Sequence, residues 1–549
     1  MQRREVLKSA AILGTSAVTG CCFEFDPIPE SEAQVFFDDI SSGSVNTFLA
    51  PAPYTPSSSV KLTSRVVDAH VHIYNASDWQ VGGGISGPLS NTLPQSIRDV
   101  IRGVAPIIEK ISQEISLSAA DEIRRLNSWA LLSEPDARSA AASYAQDHHE
   151  WLVDRLHSEL GGSALADLIT VILAIDGDIF TPGTEYSEFS QEFLNEAIEH
   201  SMTDYEIDMP LDPSQLESAL GSEAQIVIGH LKALLGFLYH MTSPRFKNLL
   251  AFQNAYSAGG TIGVDQCYSS VLNFDYWVGD CDHPPSSMQD QIILMARISQ
   301  LSGGYIRPLA AYNPWTDIKD NDDSIQMLAK AVTDYGFAGV KIYNQIGFYP
   351  YSNATQQHPA SAKMPDDLGF LDEKLSHFFS VCRAHDIPVM THSGDSMGRS
   401  MFENRKGGPD AWSLFFDAAE NAGTRVNLAH FGGDHDGPTS PNWPTQFVEI
   451  MKKPGAEHLY GDIGKWLKLA DGDIEALLRL TTLLAEPVSN GETAADRLMF
   501  GTDWLMLSAF ASWNKYSEEV MQVLSAVLDQ ATLDKIMFAN ADKFFSATT

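Results

Sequence analysis

Alternation of strand-like and helix-like segments is the feature that most constrains the fold of this chain. From residue 260 onward, short apolar runs alternate with stretches whose apolar residues recur at helical spacing. Seven of these runs are predicted strands, and one more lies near the amino terminus. The eight predicted strands are 66–72, 269–275, 305–312, 339–343, 388–392, 425–430, 458–462 and 498–503. Eight strands that alternate with helices are typical of an α/β fold of the (β/α)8 TIM-barrel type.

Histidines and an aspartate stand at the carboxyl ends of four of these strands. His70 and His72 end the first strand, and residues two apart on a strand point to the same face. His392, His430 and Asp503 end the fifth, sixth and eighth strands. The carboxyl ends of barrel strands meet at one mouth, where the reacting groups of such folds lie. Core packing gives no reason for this pattern, so the sequence predicts one metal site at the mouth.

Five motifs in this order resemble a known family. They are Asp68-Ala69-His70-Val71-His72, Gly339-Val340-Lys341-Ile342-Tyr343, Thr391-His392-Ser393, Leu428-Ala429-His430-Phe431 and Phe500-Gly501-Thr502-Asp503-Trp504. As a set they resemble the amidohydrolase superfamily, in its amidohydrolase-2 (amidohydrolase-related) branch. The resemblance covers roughly residues 65–74 and 260–543 and leaves out the segment between them.

The resemblance implies a metal-dependent hydrolase that acts on a small molecule. His70, His72, His392 and Asp503 are the expected ligands of a divalent metal, most naturally zinc. A water activated as hydroxide by the metal would attack an amide, lactone or ester carbonyl. Asp503 is the expected general base, and His430 is expected to polarise the carbonyl or stabilise an oxyanion.

Lys341 raises the question of a second metal. Strand alternation places its side chain inside the barrel, where it resembles the carbamylated bridging lysine of two-metal family members. The alternative is a lysine that pairs with a carboxylate or an anionic substrate. Lys341 and His430 are therefore candidates for a second metal or for substrate, although we expect one metal. Arg307, Asp275 and Tyr343 are weaker candidates for binding substrate.

Two alternative functions remain open at this point. Members of the same branch also catalyse non-oxidative decarboxylation of aromatic or unsaturated carboxylic acids with the same ligands. Such a lyase needs a basic clamp for the substrate carboxylate, for which Arg307 and Lys341 are the candidates. The second alternative is a non-catalytic surface lipoprotein that uses the barrel as a binding scaffold.

The amino terminus predicts export. Arg3 and Arg4 precede a short apolar run over residues 9–20, and Cys21 follows it in the sequence Val18-Thr19-Gly20-Cys21. This arrangement resembles a Tat-type lipoprotein signal peptide over residues 1–21. We expect a periplasmic or cell-envelope protein with a lipid anchor at Cys21 as its only membrane attachment. Residues 22–64, rich in Pro, Ser, Asp and Glu, are a predicted flexible tether.

The barrel domain is predicted over residues 65–549, with a mainly helical insertion at 90–255 after the first strand. A connection that leaves the carboxyl end of a barrel strand emerges on the active-site face. The insertion is therefore predicted to form a lid over the pocket. The alternative is a helical appendage that packs beside the barrel or mediates oligomerisation, and the oligomeric state stays open.

Charge and cysteine content argue against a nucleic-acid partner and against a cysteine metal site. The formal net charge of −35 repels phosphate backbones and argues against nucleic acid as a partner. The chain has five cysteines and no C-x-x-C pair, so a cysteine zinc site is not expected. Cys267 and Cys281 either bridge in an oxidising compartment or remain free thiols.

Overall fold

The computed structural model describes residues 46–51, 63–80, 116–160, 239–257, 263–277, 284–356, 368–394, 405–436, 441–509 and 513–546. The predicted signal peptide with Cys21, and Cys281, lie outside this part of the chain. Cys267 is a buried free thiol. In the ranges given, no helix combines the length and the apolar character needed to cross a membrane.

Eight parallel strands form one sheet in which each strand pairs with the next along the chain. They are β1 Val67–His72, β2 Gln266–Ser270, β3 Ile306–Ala311, β4 Gly339–Ile342, β5 Val389–His392, β6 Val426–Ala429, β7 Leu459–Asp462 and β8 Leu498–Met499. Backbone hydrogen bonds from Ala69 to Phe500 and from His72 to Trp504 join the last strand to the first. The predicted (β/α)8 barrel is therefore confirmed.

Helices surround the sheet and connect its strands. They are α1 Ala119–Ala130, α2 Glu134–Leu160, α3 Arg245–Ser257, α4 Met288–Leu301, α5 Pro314–Lys319, α6 Asp323–Thr333, α7 Leu368–Ala384, α8 Pro409–Asp417, α9 Trp443–Met451, α10 Leu467–Ala470, α11 Ile474–Leu484, α12 Tyr516–Val527, α13 Gln530–Asp534 and α14 Asn540–Phe545. Several begin at side-chain caps, as where Ser118 accepts the backbone N–H of Asp121 and Ser287 that of Asp290. Such caps satisfy backbone donors that have no partner within the helix.

The barrel interior is apolar at its amino-terminal end and polar at its carboxyl end. One buried cluster contains Val67, Leu309, Met390, Met499 and Phe544. Phe544 belongs to α14, which therefore covers the amino-terminal end of the barrel. The polar side chains of the site lie at the opposite end, where the strands finish.

Two predicted strands differ from the observed ones. The predicted second strand, 269–275, lies too far along the chain, because Val271 and Leu272 are apolar but pack in the loop after β2. The predicted last strand, 498–503, keeps regular strand geometry only over β8. Asp503 itself has a φ of 60°, in the left-handed region, so the chain turns out of the sheet at that residue.

The connection from β1 to β2 contains α1, α2 and α3. Helix α1 packs against α4 on the outside of the barrel, and the ring of Trp129 in α1 lies 5.3 Å from that of Phe246 in α3. Of these three helices, α1 therefore lies beside the barrel. The full extent of the predicted insertion, 90–255, and its predicted lid remain predictions, because residues 81–115 and 161–238 lie outside the described part.

Candidate metal centre

Three donor atoms from β1 and the end of β8 meet at the carboxyl end of the barrel. His70 Nε2 lies 3.2 Å from His72 Nε2. Asp503 Oδ1 lies 3.4 Å from the first nitrogen and 3.2 Å from the second. Tetrahedral ligands at zinc bond lengths are separated by about 3.3 Å. The triangle therefore has the size that one metal ion requires.

An irregularity in β1 lets its two histidines face the site although Ala69 also faces the barrel interior. Between Asp68 and Val71, β1 contains one more residue than the paired segment of β2. Ala69 can therefore face the barrel interior below while His70 and His72 both turn to the site above. An irregularity of this kind re-aims side chains, as is common next to active sites.

Asp68 connects the ligand-bearing ends of β1 and β8. Its carboxylate accepts the backbone N–H of His70 at 3.0 Å and that of Thr502 at 3.0 Å. The Thr502 hydroxyl also donates to it, at 2.7 Å. Burial raises the pKa of Asp68 to about 7, although these hydrogen bonds oppose the shift. Asp68 thereby fixes the backbone on which His70 and Asp503 stand.

Asp462, at the end of β7, orients His70. Its Oδ1 lies 3.2 Å from His70 Nδ1 and accepts the backbone N–H groups of His430 and Gly464, both at 3.0 Å. Its Oδ2 accepts Asn427 Nδ2 at 2.8 Å. Burial would raise the pKa of Asp462, but His70 and His430 hold it well below its usual range. A carboxylate at Nδ1 leaves Nε2 of His70 with a lone pair for a metal.

His430 and His392 contribute two further ring nitrogens. His430 Nδ1 lies 2.9 Å from the carbonyl oxygen of Gly464, to which it donates, so its Nε2 is an acceptor. The rings of His430 and His392 lie 4.5 Å apart, and that of His430 lies 4.8 Å from His70. The Nε2 atoms of His392 and His430 are buried without a hydrogen-bond partner. Such nitrogens are suited to a ligand that the protein itself does not provide.

Electrostatics keeps these groups in the protonation states that metal binding needs. Burial lowers the pKa of all four histidines, to about 4 for His430. Burial would raise the pKa of Asp503, but His430, His70 and His72 hold it well below its usual range. Neutral imidazoles beside an ionised carboxylate are the forms that ligate a divalent cation.

Lys341 and Tyr343 extend from β4 towards the same histidines. Lys341 is fully buried, and its Nζ lies 3.0 Å from His70 Nε2. Burial lowers the pKa of Lys341 to about 8, although Asp462 and Asp503 oppose the shift. The Tyr343 hydroxyl lies 3.3 Å from Nδ1 of His72. Tyr343, predicted to bind substrate, is therefore placed where it supports a ligand.

The other two weak candidates lie in different places. Arg307 is the second residue of β3 and pairs in register with Tyr268, whose ring stacks on Phe545 of α14. The structure thus places Arg307 at the covered amino-terminal end of the barrel. This position does not support its predicted role as a substrate clamp, which stays a prediction. Asp275 lies in the loop after β2, beside Phe274, whose ring is 4.8 Å from that of Tyr343.

Sequence reasoning missed several supporting residues. Asn427 donates a hydrogen bond to Asp462. Gly464 leaves room for the contact between Asp462 and His70, since a Cβ on Gly464 would lie 2.9 Å from Asp462 Oδ1 and 3.1 Å from His70 Nδ1. Strand alternation inward from Ala429 was the available signal for Asn427. No local signal marks Gly464, because its constraint comes from a contact between distant strands.

A family model described as amidohydrolase matches residues 310–547, a range that includes Lys341, His392, His430 and Asp503 but not the histidines of β1. Among curated proteins, no significant match to the sequence was found.

Several solved structures share similarity with the chain. An uncharacterised TIM-barrel protein from Bordetella bronchiseptica is 15% identical, with a TM-score of 0.35, over 55% of this chain and 82% of that one. A zinc-bound amidohydrolase from Burkholderia multivorans is 11% identical, with a TM-score of 0.33, over 52% and 84%. The 5-carboxyvanillate decarboxylase of Sphingomonas paucimobilis is 12% identical, with a TM-score of 0.35, over 61% and 96%.

Proposed function

Because the chain belongs to the amidohydrolase family through residues 310–547, we propose that it is a metal-dependent hydrolase of a small-molecule amide, lactone or ester. The observation that carries this proposal is the triangle of His70 Nε2, His72 Nε2 and Asp503 Oδ1, with sides of 3.2–3.4 Å. These three residues would hold the metal, with His392 as the fourth ligand.

The donor set fits zinc. Imidazole nitrogens and one carboxylate oxygen are common ligands of catalytic zinc sites. A bound divalent ion supplies Lewis acidity, which makes water a nucleophile near neutral pH and polarises a carbonyl. The unpartnered Nε2 atoms of His392 and His430 are the structural observation, independent of the triangle, that a ligand belongs here.

The chain's own residues have separate roles in this proposal. Asp503 is ionised and can accept a proton from the attacking water. His430, whose Nδ1 proton is held by the Gly464 carbonyl, presents Nε2 towards the rings of His70 and His392. As a neutral imidazole it would contact substrate or a leaving group and not carry charge. Asp462 and Tyr343 keep the two β1 histidines oriented.

We propose one metal and not two. A protonated lysine has no lone pair and cannot ligate a cation. Lys341 is protonated near neutral pH, so its Nζ, 3.0 Å from Nε2 of His70, is not a ligand; when a metal takes that nitrogen, the ammonium group is free to donate elsewhere in the site. A second metal would require covalent modification of Lys341, which a mass measurement of the intact protein detects.

Hydrolysis is favoured over the decarboxylase alternative. A carboxylate clamp was expected from Arg307 or Lys341, and Arg307 lies at the other end of the barrel, which leaves Lys341 as a single candidate beside the metal triangle. The non-catalytic alternative gives no reason for histidines at the site whose tautomers are set by Asp462 and Gly464.

A substrate panel tests the proposal. Purified protein should hydrolyse at least one of a set of lactones, amides and esters, lose that activity on chelation and regain it with zinc. Release of carbon dioxide from aromatic carboxylic acids, without hydrolysis, would establish the lyase instead. Activity that survives complete metal removal would contradict both.

Export and anchoring remain a proposal based on residues 1–21. We propose that the protein is delivered to the cell envelope and attached there through lipid on Cys21. The barrel and its metal site would then act on substrates outside the cytoplasm.

A further inference from the structure

We infer that Asn248, on α3 of the β1–β2 connection, is a positioning residue for the metal site. This inference rests on the proposed function, because it concerns how the chain holds the proposed ligands. Asn248 touches none of the reacting groups. It acts through the backbone after His72 and through the aromatic residue after Asp503.

The first link runs from Asn248 to β1. Asn248 is fully buried, and its Nδ2 donates to the carbonyl oxygen of Tyr74 at 3.0 Å and to that of His240 at 2.8 Å. Tyr74 stands two residues after His72. One side chain of α3 therefore fixes the path that the backbone takes as it leaves the ligand.

The second link runs from Asn248 to the end of β8. His240 Nδ1 lies 3.3 Å from Oδ1 of Asn248, to which it donates. The His240 ring packs edge-on against Trp504, with centroids 5.2 Å apart, and Phe252 of α3 packs on the same indole at 5.8 Å. Trp504 directly follows Asp503. The same helix therefore supports the chain on both sides of the metal triangle.

The two links close into a ring of contacts. The backbone N–H of His72 donates to the carbonyl oxygen of Trp504 at 3.1 Å. A path thus runs from Asn248 through Tyr74 and His72 to Trp504, and returns through His240. A displacement of Asn248 would loosen both His72 and Asp503. Ligand atoms must hold their geometry to within about 0.5 Å for tight metal binding.

Buried charges fix α3 in place. Arg245, one turn before Asn248, pairs with Asp78 and with Glu122, the latter at 3.0 Å. Glu122 also accepts the backbone N–H groups of Arg245 and Phe246 at 3.0 and 2.7 Å, at the start of α3. Breaking a buried ion pair is strongly unfavourable. The helix is therefore a rigid support, and the described part of the β1–β2 connection acts as a clamp on the site.

Metal titration of three variants tests the inference. Asn248→Ala removes both links, and His240→Phe keeps the ring on Trp504 but removes its hydrogen bond to Asn248. The matched control is Gln253→Ala on the same helix, where Nε2 donates to the Leu49 carbonyl oxygen at 3.0 Å, away from the ligands. Zinc affinity and the visible spectrum of the cobalt(II)-loaded protein are measured for each, together with the thermal midpoint of the metal-free protein.

Asn248→Ala should weaken zinc binding by about 10-fold and alter the cobalt spectrum. His240→Phe should change the zinc affinity and the cobalt spectrum in the same direction by a smaller amount. This second variant keeps the test valid if Asn248→Ala does not fold. Gln253→Ala should leave both unchanged even where its thermal midpoint falls. The inference about Asn248 would be overturned, with the proposed function left intact, by unchanged zinc affinity in Asn248→Ala and His240→Phe. An equal loss of zinc affinity in Gln253→Ala would have the same consequence. Wild-type protein that binds neither metal would overturn the proposed function itself.

Discussion

Oδ1 of Asp462 lies 3.2 Å from Nδ1 of His70, and both side chains are completely shielded from solvent. The contact joins the end of β7 to the end of β1 across the barrel mouth. It determines which nitrogen of His70 carries the proton, and therefore which nitrogen is available to a metal.

Replacing Asp462 with Asn should weaken zinc binding by about 10- to 100-fold, because a neutral amide orients and polarises His70 less well. A chelator-competition titration measures the change. Asp434→Asn is the control, since Asp434 is also buried but accepts the backbone N–H groups of Lys468 and Leu469 in α10. Equal zinc affinity in wild type and Asp462→Asn would show that this contact does not orient a ligand.

Tyr343→Phe should weaken zinc binding by up to about 10-fold, because it removes the hydroxyl 3.3 Å from Nδ1 of His72. Tyr351→Phe, in the loop that follows β4, removes an exposed hydroxyl that donates to Glu420 at 2.9 Å and should have no effect. The same titration compares the two. If both variants bind zinc like wild type, Tyr343 does not support the metal ligand and keeps only its predicted role in binding substrate.

The fold was predictable because its signal is repeated eight times. Each predicted strand of five to eight residues needs only approximate bounds for the barrel to follow, and errors such as that at Val271 and Leu272 do not change the topology. The site was predictable in the same way, since His70, His72, His392, His430 and Asp503 each stand at the end of a predicted strand.

The supporting contacts were not predictable, because they depend on how distant segments meet. The extra residue in β1 that lets His70 and His72 face the site has no local signal. Asn248 lies in a segment predicted as an insertion, and nothing in its neighbourhood indicates contact with Tyr74. Arg307 shows a related difficulty, since the sequence pattern did not place it at the amino-terminal end of its strand, away from the mouth.

The stability of the metal-free protein should depend on pH through His240. Burial lowers the pKa of His240 to about 4, although the hydrogen bond with Asn248 opposes the shift. Between about pH 6.5 and 4 the unfolded chain binds a proton at His240 and the folded chain does not. The contribution of His240 to the free energy of unfolding is therefore complete above about pH 6.5 and is lost as the pH falls.

His240→Phe removes this contribution. Between pH 7 and pH 5, its free energy of unfolding should therefore fall by about 2 kcal/mol less than that of wild type. Urea unfolding of both proteins at the two pH values provides the comparison. Identical losses in the two proteins would mean that His240 is not held neutral by the fold.

The proposed anchor has a direct test in cells. Wild-type protein should fractionate with membranes, and Cys21→Ala should remove the site of lipid attachment and release the protein from them. Cys267→Ala is the control for cysteine loss, since Cys267 is a buried thiol in β2. Equal solubility of wild type and Cys21→Ala would refute the anchor while leaving export open.

The central claim is that His70, His72 and Asp503 hold one metal ion, and the most direct measurement is the zinc content of purified protein. Wild type should contain about one equivalent of zinc per chain, whereas Asp503→Asn and His72→Ala should fold but retain little of it. Asp503→Asn and His72→Ala should also lose catalytic activity. Wild type without bound metal after growth with zinc, or full zinc content in both variants, would contradict the account.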